Sequence, residues 1–276
     1  MKEIITSRQN PRIKFLCGLA EKKKRRQLEM FRFDGIKLLR EALLCGIRPE
    51  AVFVRVPLGE EVDTLLRFGV TEGLLREENI VYVSDSVFEK LSEEKSPEGV
   101  ITVSRFLTHL HRSASDSPMP GGEERLLIVE ALRDPGNLGT VMRSCAALGI
   151  DRLIISSDCA ELYNPKTVRS TMGALFRLPT VEVAAEDLSH WIGILRQSGR
   201  RVFAAALRED AISIGSFSLQ KGDCFVIGNE GHGLSEDTIS ACDGCAVIPM
   251  REGNESLNAA AAASICIWET VRSACH

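Results

Sequence analysis

Residues 225–234 read FVIGNEGHGL, and this stretch decides the fold. Its apolar run ends at Ile227, and a loop with three glycines in six residues begins at Gly228. A short apolar run of this kind is typical of a strand that is buried in a parallel sheet. Glycines directly after such a strand permit positive φ and a close approach of the backbone to a ligand. Because ligands of open α/β sheets bind beyond the carboxyl ends of the strands, this loop predicts a functional site.

The rest of the C-terminal part repeats this pattern of short apolar runs. Further buried strands are predicted at residues 126–129, 153–155, 202–205 and 246–248. Helical patterns follow or separate them at residues 137–148, 188–197 and 257–272. Strands that alternate with helices predict an α/β fold with a parallel sheet.

Two more loops after predicted strands carry candidate functional residues. Asn137 follows the first strand, and Arg143 lies six residues later on the same predicted helix. Ser256 and Asn258 follow the last strand and precede five alanines. Taken singly, the two asparagines are explained as helix caps and Arg143 as a surface arginine. Glu230 is harder to explain structurally, because a tight turn needs no carboxylate between its glycines.

The N-terminal part predicts a small α/β domain of its own. Strand patterns at residues 51–56, 80–83 and 100–103 alternate with helical patterns such as residues 36–44. Residues 105–124 are rich in Ser, Pro and Gly and therefore predict a linker. The predicted organisation is a domain at 1–104, a linker at 105–124 and a second domain at 125–276.

Charge is distributed unevenly along the chain. Residues 1–48 contain 13 Lys/Arg and 5 Asp/Glu, which gives +8, so the remainder carries -4 - 8 = -12. A basic end on an acidic protein indicates a surface for a polyanion, and a solvated helix face explains it equally well. If the partner is a nucleic acid, the run at residues 22–26, KKKRR, is the first candidate for phosphate contacts.

Composition predicts a cytoplasmic protein with neither a metal nor a membrane segment. The nine cysteines are an odd number without a pairing pattern, and no apolar leader follows Lys2 and Glu3, so a reducing cytoplasm fits best. Cys242 and Cys245 form an isolated CxxC, which is weak evidence for zinc without a second ligand pair. The uncharged run at residues 256–268 is too short to span a bilayer.

The three loops together resemble the three motifs of the SpoU (TrmH) family of RNA 2'-O-ribose methyltransferases, in the SPOUT superfamily. The motifs run through residues 137–149, 227–234 and 248–258, and residues 164–179 resemble the segment that the family has between the first two. The N-terminal part is similar to the RNA substrate-binding domain of rRNA-modifying members, which has a ribosomal-protein-like fold. Asp34 and Ala259 depart from the family pattern, away from the chemistry.

This resemblance implies a function, a fold and a set of roles. The expected reaction is methyl transfer from S-adenosylmethionine to a ribose 2'-hydroxyl of RNA, with rRNA of the 23S type favoured. The expected fold contains a deep trefoil knot, and the expected assembly is a homodimer through the catalytic domain. The implied catalytic residues are Arg143, Asn137, Glu230, Ser256 and Asn258. The implied donor-binding residues are Gly228, Ile248 and Leu257.

Two alternatives stay open at this stage. One is a tRNA methyltransferase with the same catalytic domain, and the other is a catalytically silent RNA-binding protein that kept the fold. A nucleotide-dependent dehydrogenase is disfavoured, because no glycine fingerprint with a downstream acidic residue follows the first strand.

Overall fold

The fold is described from a computed structural model that covers residues 3–92, 97–251 and 256–273. The chain divides into a first unit, Met1–Leu107 with Tyr163–Phe176, and a second unit, Thr108–Leu162 with Arg177–His276. Each unit is built around its own β-sheet with helices on both faces.

Strands and helices alternate along most of the chain. The strands are β1 (Ile4–Ile5), β2 (Met30–Asp34), β3 (Ala51–Val56), β4 (Ile80–Ser84), β5 (Val100–Arg105), β6 (His111–Ser113), β7 (Leu126–Val129), β8 (Arg152–Ser156), β9 (Thr180–Val183), β10 (Val202–Ala205), β11 (Ile212–Ser213), β12 (Cys224–Ile227) and β13 (Gly244–Val247). The helices are α1 (Pro11–Gly18), α2 (Lys22–Leu28), α3 (Ile36–Leu44), α4 (Glu60–Thr71), α5 (Asp85–Phe88), α6 (Pro135–Leu148), α7 (Pro165–Thr171), α8 (Leu188–Gln197), α9 (Glu236–Ala241) and α10 (Ala259–Ser273).

The first unit contains a five-stranded mixed sheet in the order β1-β4-β3-β5-β2. Strand β5 runs antiparallel to both of its neighbours, whereas β1, β4 and β3 are parallel. Alternation along β3 explains the two cores, because Phe53 points to one face, and Val52 and Val54 point to the other. Helices α1 and α5 cover the first face, and α3 and α4 cover the second.

The basic run at the start of the chain is not a uniform charged face. Asn10 caps α1 by accepting a hydrogen bond from the Arg12 backbone N–H at 2.9 Å. In α2, the Arg25 side chain is buried and donates to the carbonyls of Leu19 at 2.9 Å and Ala20 at 2.7 Å. Within the candidate run at residues 22–26, the buried guanidinium of Arg25 therefore holds the turn between α1 and α2.

The segment Tyr163–Phe176 packs within the first unit, although along the chain it lies between the two stretches of the second unit. The Tyr163 ring stacks on Phe106 with centroids 4.0 Å apart, and its hydroxyl accepts from the Leu107 backbone N–H at 2.6 Å. Phe176 lies 5.2 Å from Phe33 on β2. These aromatic contacts explain why the units differ from a division into 1–104 and 125–276. The division of function between residues 1–104 and residues 125–276 stays a prediction.

The second unit contains an eight-stranded parallel sheet in the order β11-β13-β10-β12-β7-β8-β9-β6. All four residues of β7 and of β12 are buried, as expected for central strands that are covered on both faces. Helix α10 packs against α6 and β12. Helix α8 contributes its own Trp191 and Leu195 to the hydrophobic core of the unit. The last predicted strand is displaced, because β13 ends at Val247 and leaves Ile248 in the following loop.

Much of the predicted linker at 105–124 is ordered structure of the second unit. Strand β6 extends the sheet by pairing with β9. Neither of these two strands was predicted from the sequence. Buried Arg200 donates to the carbonyls of Glu124 at 2.7 Å and Gly222 at 2.5 Å, and also to that of Gly121. The Arg200 guanidinium thus holds the end of the segment, at Gly121 and Glu124, in place. The composition of this segment had predicted a flexible linker.

We predict that Tyr163→Phe destabilises the protein while leaving the aromatic stack in place. The Leu107 N–H would lose its acceptor in a buried position, which costs about 1–3 kcal/mol. Thermal unfolding followed by circular dichroism should show a midpoint that is lower by several degrees. Ser86→Ala, which removes a hydroxyl at an exposed site of the same unit, serves as the control. An unchanged midpoint for Tyr163→Phe would contradict the role of this hydrogen bond.

Candidate active site

The loops that follow β7, β12 and β13 meet at the carboxyl edge of the second unit's sheet. A cavity of about 560 Å³ opens there, within the size range of small-molecule and cofactor sites. The loop after β12 contributes Gly228 and Glu230, and the loop after β13 contributes Ile248, Ser256 and Leu257. Parallel strands place their carboxyl ends at one edge, so residues far apart in sequence converge on one cavity.

A chain of side-chain hydrogen bonds joins the three predicted motifs. Asn258 donates from Nδ2 to Oδ1 of Asn137 at 3.1 Å. Asn137 in turn donates from Nδ2 to Oε1 of Glu230 at 2.5 Å. We call Asn258, Asn137 and Glu230 the amide relay. The structure thus brings together one predicted catalytic residue from each motif.

The direction of the amide relay is set by a helix cap. Asn258 Oδ1 accepts from the backbone N–H groups of Ala260 at 3.0 Å and Ala261 at 3.3 Å, at the start of α10. With its oxygen held in this way, Asn258 presents its NH₂ group to Asn137. Asn137 must then use its oxygen as the acceptor and its own NH₂ group as the donor. Glu230 is a pure acceptor when ionised, so the chain ends on a negative charge.

Asp134 caps helix α6, a role that the sequence analysis gave to Asn137. The Asp134 side chain accepts from the Asn137 backbone N–H at 2.8 Å, and Pro135 occupies the first helical position. Asn137 therefore lies within the first turn, and its side chain is available for the amide relay. An Asp three residues before the asparagine, followed directly by proline, was the signal for this cap.

The glycine-rich loop after β12 is closed by its own backbone and by Asn229. Asn229 and Gly233 exchange backbone hydrogen bonds at 3.0 and 2.9 Å. The Asn229 side chain accepts from Gly231 N at 2.8 Å and donates to the carbonyl of Ala131 at 2.7 Å. A Cβ at Gly228 would stand 2.4 Å from the carbonyl carbon of Gly233. Gly228 is therefore required by this close approach, and Gly233 by its φ of 69°.

Glu130, at the end of β7, is a structural residue of the site that the sequence analysis missed. Its carboxylate accepts from Ser235 Oγ at 2.7 Å, Ser235 N at 3.0 Å and Thr238 Oγ1 at 3.0 Å. These bonds fix the start of α9, and so the end of the glycine-rich loop, to the neighbouring strand. An acidic residue that directly follows four buried apolar residues was the available signal.

The structure does not bring Arg143 to the amide relay. Its side chain is exposed on α6 and makes no hydrogen bond or ion pair with the residues that the structure describes. Ser256 and Leu257 are exposed and line the cavity, while residues 252–255 of the same loop lie outside the described residues. The roles that the resemblance gives to Arg143, Ser256 and Leu257 stay predictions.

The cavity lining fits an adenosyl group with a positively charged sulfur. Its walls include the apolar side chains of Ile227, Leu234 and Val247, and backbone atoms of glycine-rich segments supply donors and acceptors. Glu230 provides negative charge at the lining, where Glu236 is paired with Arg208. The lining therefore suits a ligand in which a flat ring system is joined to a positively charged group.

Within residues 3–92, 97–251 and 256–273, no cluster of three or more His, Cys, Asp or Glu side chains is placed to hold a metal ion. Burial raises the pKa of Cys242 to about 12, and its Sγ donates to the Thr238 carbonyl at 3.2 Å. In the same residues, no helix combines the length and apolarity that crossing a membrane requires.

Known proteins place this chain in a family. The profile of the SpoU rRNA Methylase family matches residues 124–268, which is more than half of the chain. This protein belongs to the SpoU family. The profile of the MRM3-like substrate binding domain matches residues 10–102 of this SpoU protein. The family resemblance predicted from the three motifs is thereby confirmed.

Relatives align over most of the chain. A Streptomyces viridochromogenes 23S rRNA (uridine(2479)-2'-O)-methyltransferase is 32% identical over 84% of this chain and 83% of its own length. The Bacillus subtilis 23S rRNA (guanosine(2553)-2'-O)-methyltransferase RlmP is 28% identical over 97% of this chain and 98% of its own. The predicted class of enzyme, an RNA 2'-O-ribose methyltransferase, is confirmed.

Solved structures agree with this assignment. The AdoMet-bound rRNA methyltransferase from Sinorhizobium meliloti superposes with a TM-score of 0.83 at 26% identity, covering 98% of this chain and 97% of that one. The SpoU methyltransferase AviRb from Streptomyces viridochromogenes, in complex with AdoMet, gives 0.79 at 25% identity, covering 96% and 99%. The predicted α/β fold with a parallel sheet and the predicted cofactor, S-adenosylmethionine, are confirmed.

We predict that Gly228→Ala weakens donor binding at least about tenfold, equivalent to about 1.4 kcal/mol. The new methyl group cannot be accommodated against the Gly233 backbone, so the loop must move away from the cavity. Isothermal titration with S-adenosylmethionine measures the effect. Gly231→Ala is the matched control, because its Cβ would meet only Asn229 Oδ1 at an ordinary 3.5 Å. Equal affinities for the two variants would show that the close approach at Gly228 is not needed.

Proposed function

We propose that this protein transfers the methyl group of S-adenosylmethionine to a ribose 2'-hydroxyl in ribosomal RNA of the 23S type. The observation that carries the proposal is the amide relay, which joins one residue from each family motif beside the cavity. Both the S. viridochromogenes and the B. subtilis relatives are named for this reaction on 23S rRNA, and both align with more than four fifths of the chain.

The donor supplies a methyl group on a sulfonium, so the reaction is a displacement by the ribose oxygen. Alignment of the attacking oxygen with the methyl carbon is the main requirement. Main-chain groups and apolar walls at Gly228, Ile248 and Leu257 hold the donor. The relay residues, together with Ser256, position the ribose.

Arg143 stabilises the developing alkoxide in this proposal. An arginine stays protonated in proteins, so it cannot accept the hydroxyl proton. Water or a substrate phosphate takes that proton, while the guanidinium lowers the energy of the negative oxygen. The exposed position of Arg143 and its lack of an acidic partner among the described residues support this role, because such a cation is available to an incoming RNA.

We predict that Arg143→Ala lowers the rate of methyl transfer about 100-fold or more with both substrates saturating, as for other groups that stabilise an oxyanion. Donor binding, measured by titration, should stay within about twofold of wild type, since Arg143 does not line the cavity. Arg143→Lys keeps the charge without the planar fork and should recover part of the rate. A near-normal rate for Arg143→Ala would eliminate the assignment.

The RNA is bound, we propose, by a basic surface on α1 and α2 of the first unit. We define this surface by its exposed cations, which have no acidic partner among the described residues: Arg8, Arg12, Lys14, Lys22, Lys23 and Arg26. Several exposed arginines elsewhere in the unit are paired with acidic residues, as in Arg67–Asp63 and Arg76–Glu78. Uncompensated cations are what phosphate binding requires. The match of residues 10–102 to a substrate-binding domain supports the same surface.

We predict that Lys14→Glu with Lys22→Glu weakens RNA binding and lowers its salt dependence. Each lost phosphate contact should reduce the slope of log K against log salt by about 0.7–0.9, so by about 1.4–1.8 in total. Fluorescence anisotropy with a ribosomal RNA fragment over a salt series gives the slope. The control, Arg67→Glu with Arg76→Glu, makes the same change in net charge at ion-paired sites. If both double variants lower the slope equally, net charge and not this surface is responsible.

Two structural expectations belong to the same proposal. A homodimer through the catalytic unit is supported by α10, whose outward side exposes Ile265 and Trp268 while Ala263 and Ile267 are buried. Large exposed apolar side chains on one stripe of a helix favour a protein contact. A knotted C-terminus is supported by the arrangement of β12 and β13 on either side of β10, with α10 returning to pack on β12. The cytoplasmic location stays a prediction.

A further inference from the structure

An ion pair lies at the lining of the donor cavity and is not used by the chemistry above. Arg208, in the loop after β10, donates from Nη2 to Oε2 of Glu236, at the start of α9. Both residues line the cavity, and both are partly exposed, at 38% for Arg208 and 78% for Glu236. Ion pairs this exposed contribute little to stability, so a competing partner separates them at small cost.

The charges of the cavity lining single out Arg208. Among the described residues of the lining, it is the only lysine or arginine. Glu230 ends the amide relay and is already hydrogen-bonded to Asn137, so Arg208 and Glu236 form the one ion pair among the described residues of this lining. The remaining walls are mostly apolar or backbone.

The donor has a group that matches such a pair. Its amino-acid end carries a carboxylate and, at neutral pH, an ammonium group. A guanidinium binds a carboxylate in a planar, two-pronged contact. The neighbouring Glu236 suits the ammonium group. A phosphate of the RNA fits less well, because it brings no ammonium group to offset the negative charge of Glu236.

We propose that Arg208 exchanges Glu236 for the α-carboxylate of S-adenosylmethionine, and that this contact selects donors with an intact amino-acid end. The inference rests on the proposed function only in taking the donor as the ligand. In the empty cavity, Glu236 holds the guanidinium near the place where it is needed. On binding, the carboxylate replaces Glu236, and Glu236 becomes a partner for the ammonium group.

The test combines two proteins with two ligands in isothermal titration. The ligands are S-adenosylmethionine and its decarboxylated form, which keeps the adenosyl group, the sulfonium and the ammonium group. Arg208→Gln should bind S-adenosylmethionine about tenfold more weakly than wild type, as expected for one charge-assisted contact at a partly exposed site. The same variant should bind the decarboxylated form within about twofold of wild type, because that ligand has nothing for Arg208 to hold.

A matched control comes from the same unit. Lys221→Gln breaks the exposed Lys221–Glu123 ion pair, which lies away from the cavity lining, and should leave both affinities unchanged. Equal weakening of both ligands by Arg208→Gln would overturn the proposal, and so would no weakening of either. Loss of RNA binding with unchanged donor binding would assign Arg208 to a phosphate. If the wild-type protein bound no S-adenosylmethionine, the proposed function would fail as well. If the wild-type protein bound it but Arg208→Gln affected both ligands equally, only the inference about Arg208 would be overturned.

Discussion

The organisation of the site depends on one directional interaction, the capping of α10 by Asn258. An asparagine side chain can present either its oxygen or its NH₂ group, and nothing in the residue itself decides which. Here two backbone N–H groups hold the oxygen. Reversing the Asn258 amide would lose a cap contribution of about 1 kcal/mol and would also oppose its oxygen to Oδ1 of Asn137. The cap therefore determines the orientation of a side chain on another helix, and through it the hydrogen bonding of Glu230.

The glycine-rich loop supplies the second constraint, because Glu230 is useful only if its backbone is held still. Two unrelated anchors do this. Asn229 ties the start of the loop to the carbonyl of Ala131, and Glu130 ties its end to Ser235. Both anchors reach the end of β7, the neighbouring parallel strand. Strand pairing and loop geometry are thus parts of one arrangement, which explains why Asn137 and Glu230, after the paired strands β7 and β12, lie close together.

Sequence reasoning predicted the sheet of the second unit better than its loops. Apolar runs such as β7 and β10 are visible because central parallel strands are buried on both faces. The edge strand β6 and the helix cap at Asp134 were missed, because a few polar residues satisfy many local structures equally well. The compact units of the structure depart from the predicted division where Tyr163 and its neighbours pack on β2. The ring partners of Tyr163, Phe106 and Phe31, lie 57 and 132 residues away along the chain, a separation that no local pattern reveals.

The predicted site residues fall into two groups, those that bond one another in the structure and Arg143, which does not. Asn137, Glu230 and Asn258 meet because each follows a strand whose neighbours are fixed by backbone hydrogen bonds, so order and spacing were sufficient evidence. Arg143 is different, since its predicted partner is a charge that forms only during the reaction. The relay ends on the carboxylate of Glu230, and a ribose oxygen that gains negative charge beside it would be repelled. A cation is needed to offset that repulsion, and an arginine without an acidic partner among the described residues meets the requirement. The separation of Arg143 from the relay is therefore consistent with its proposed role, because an arginine already paired with Glu230 would have less charge to offer the alkoxide.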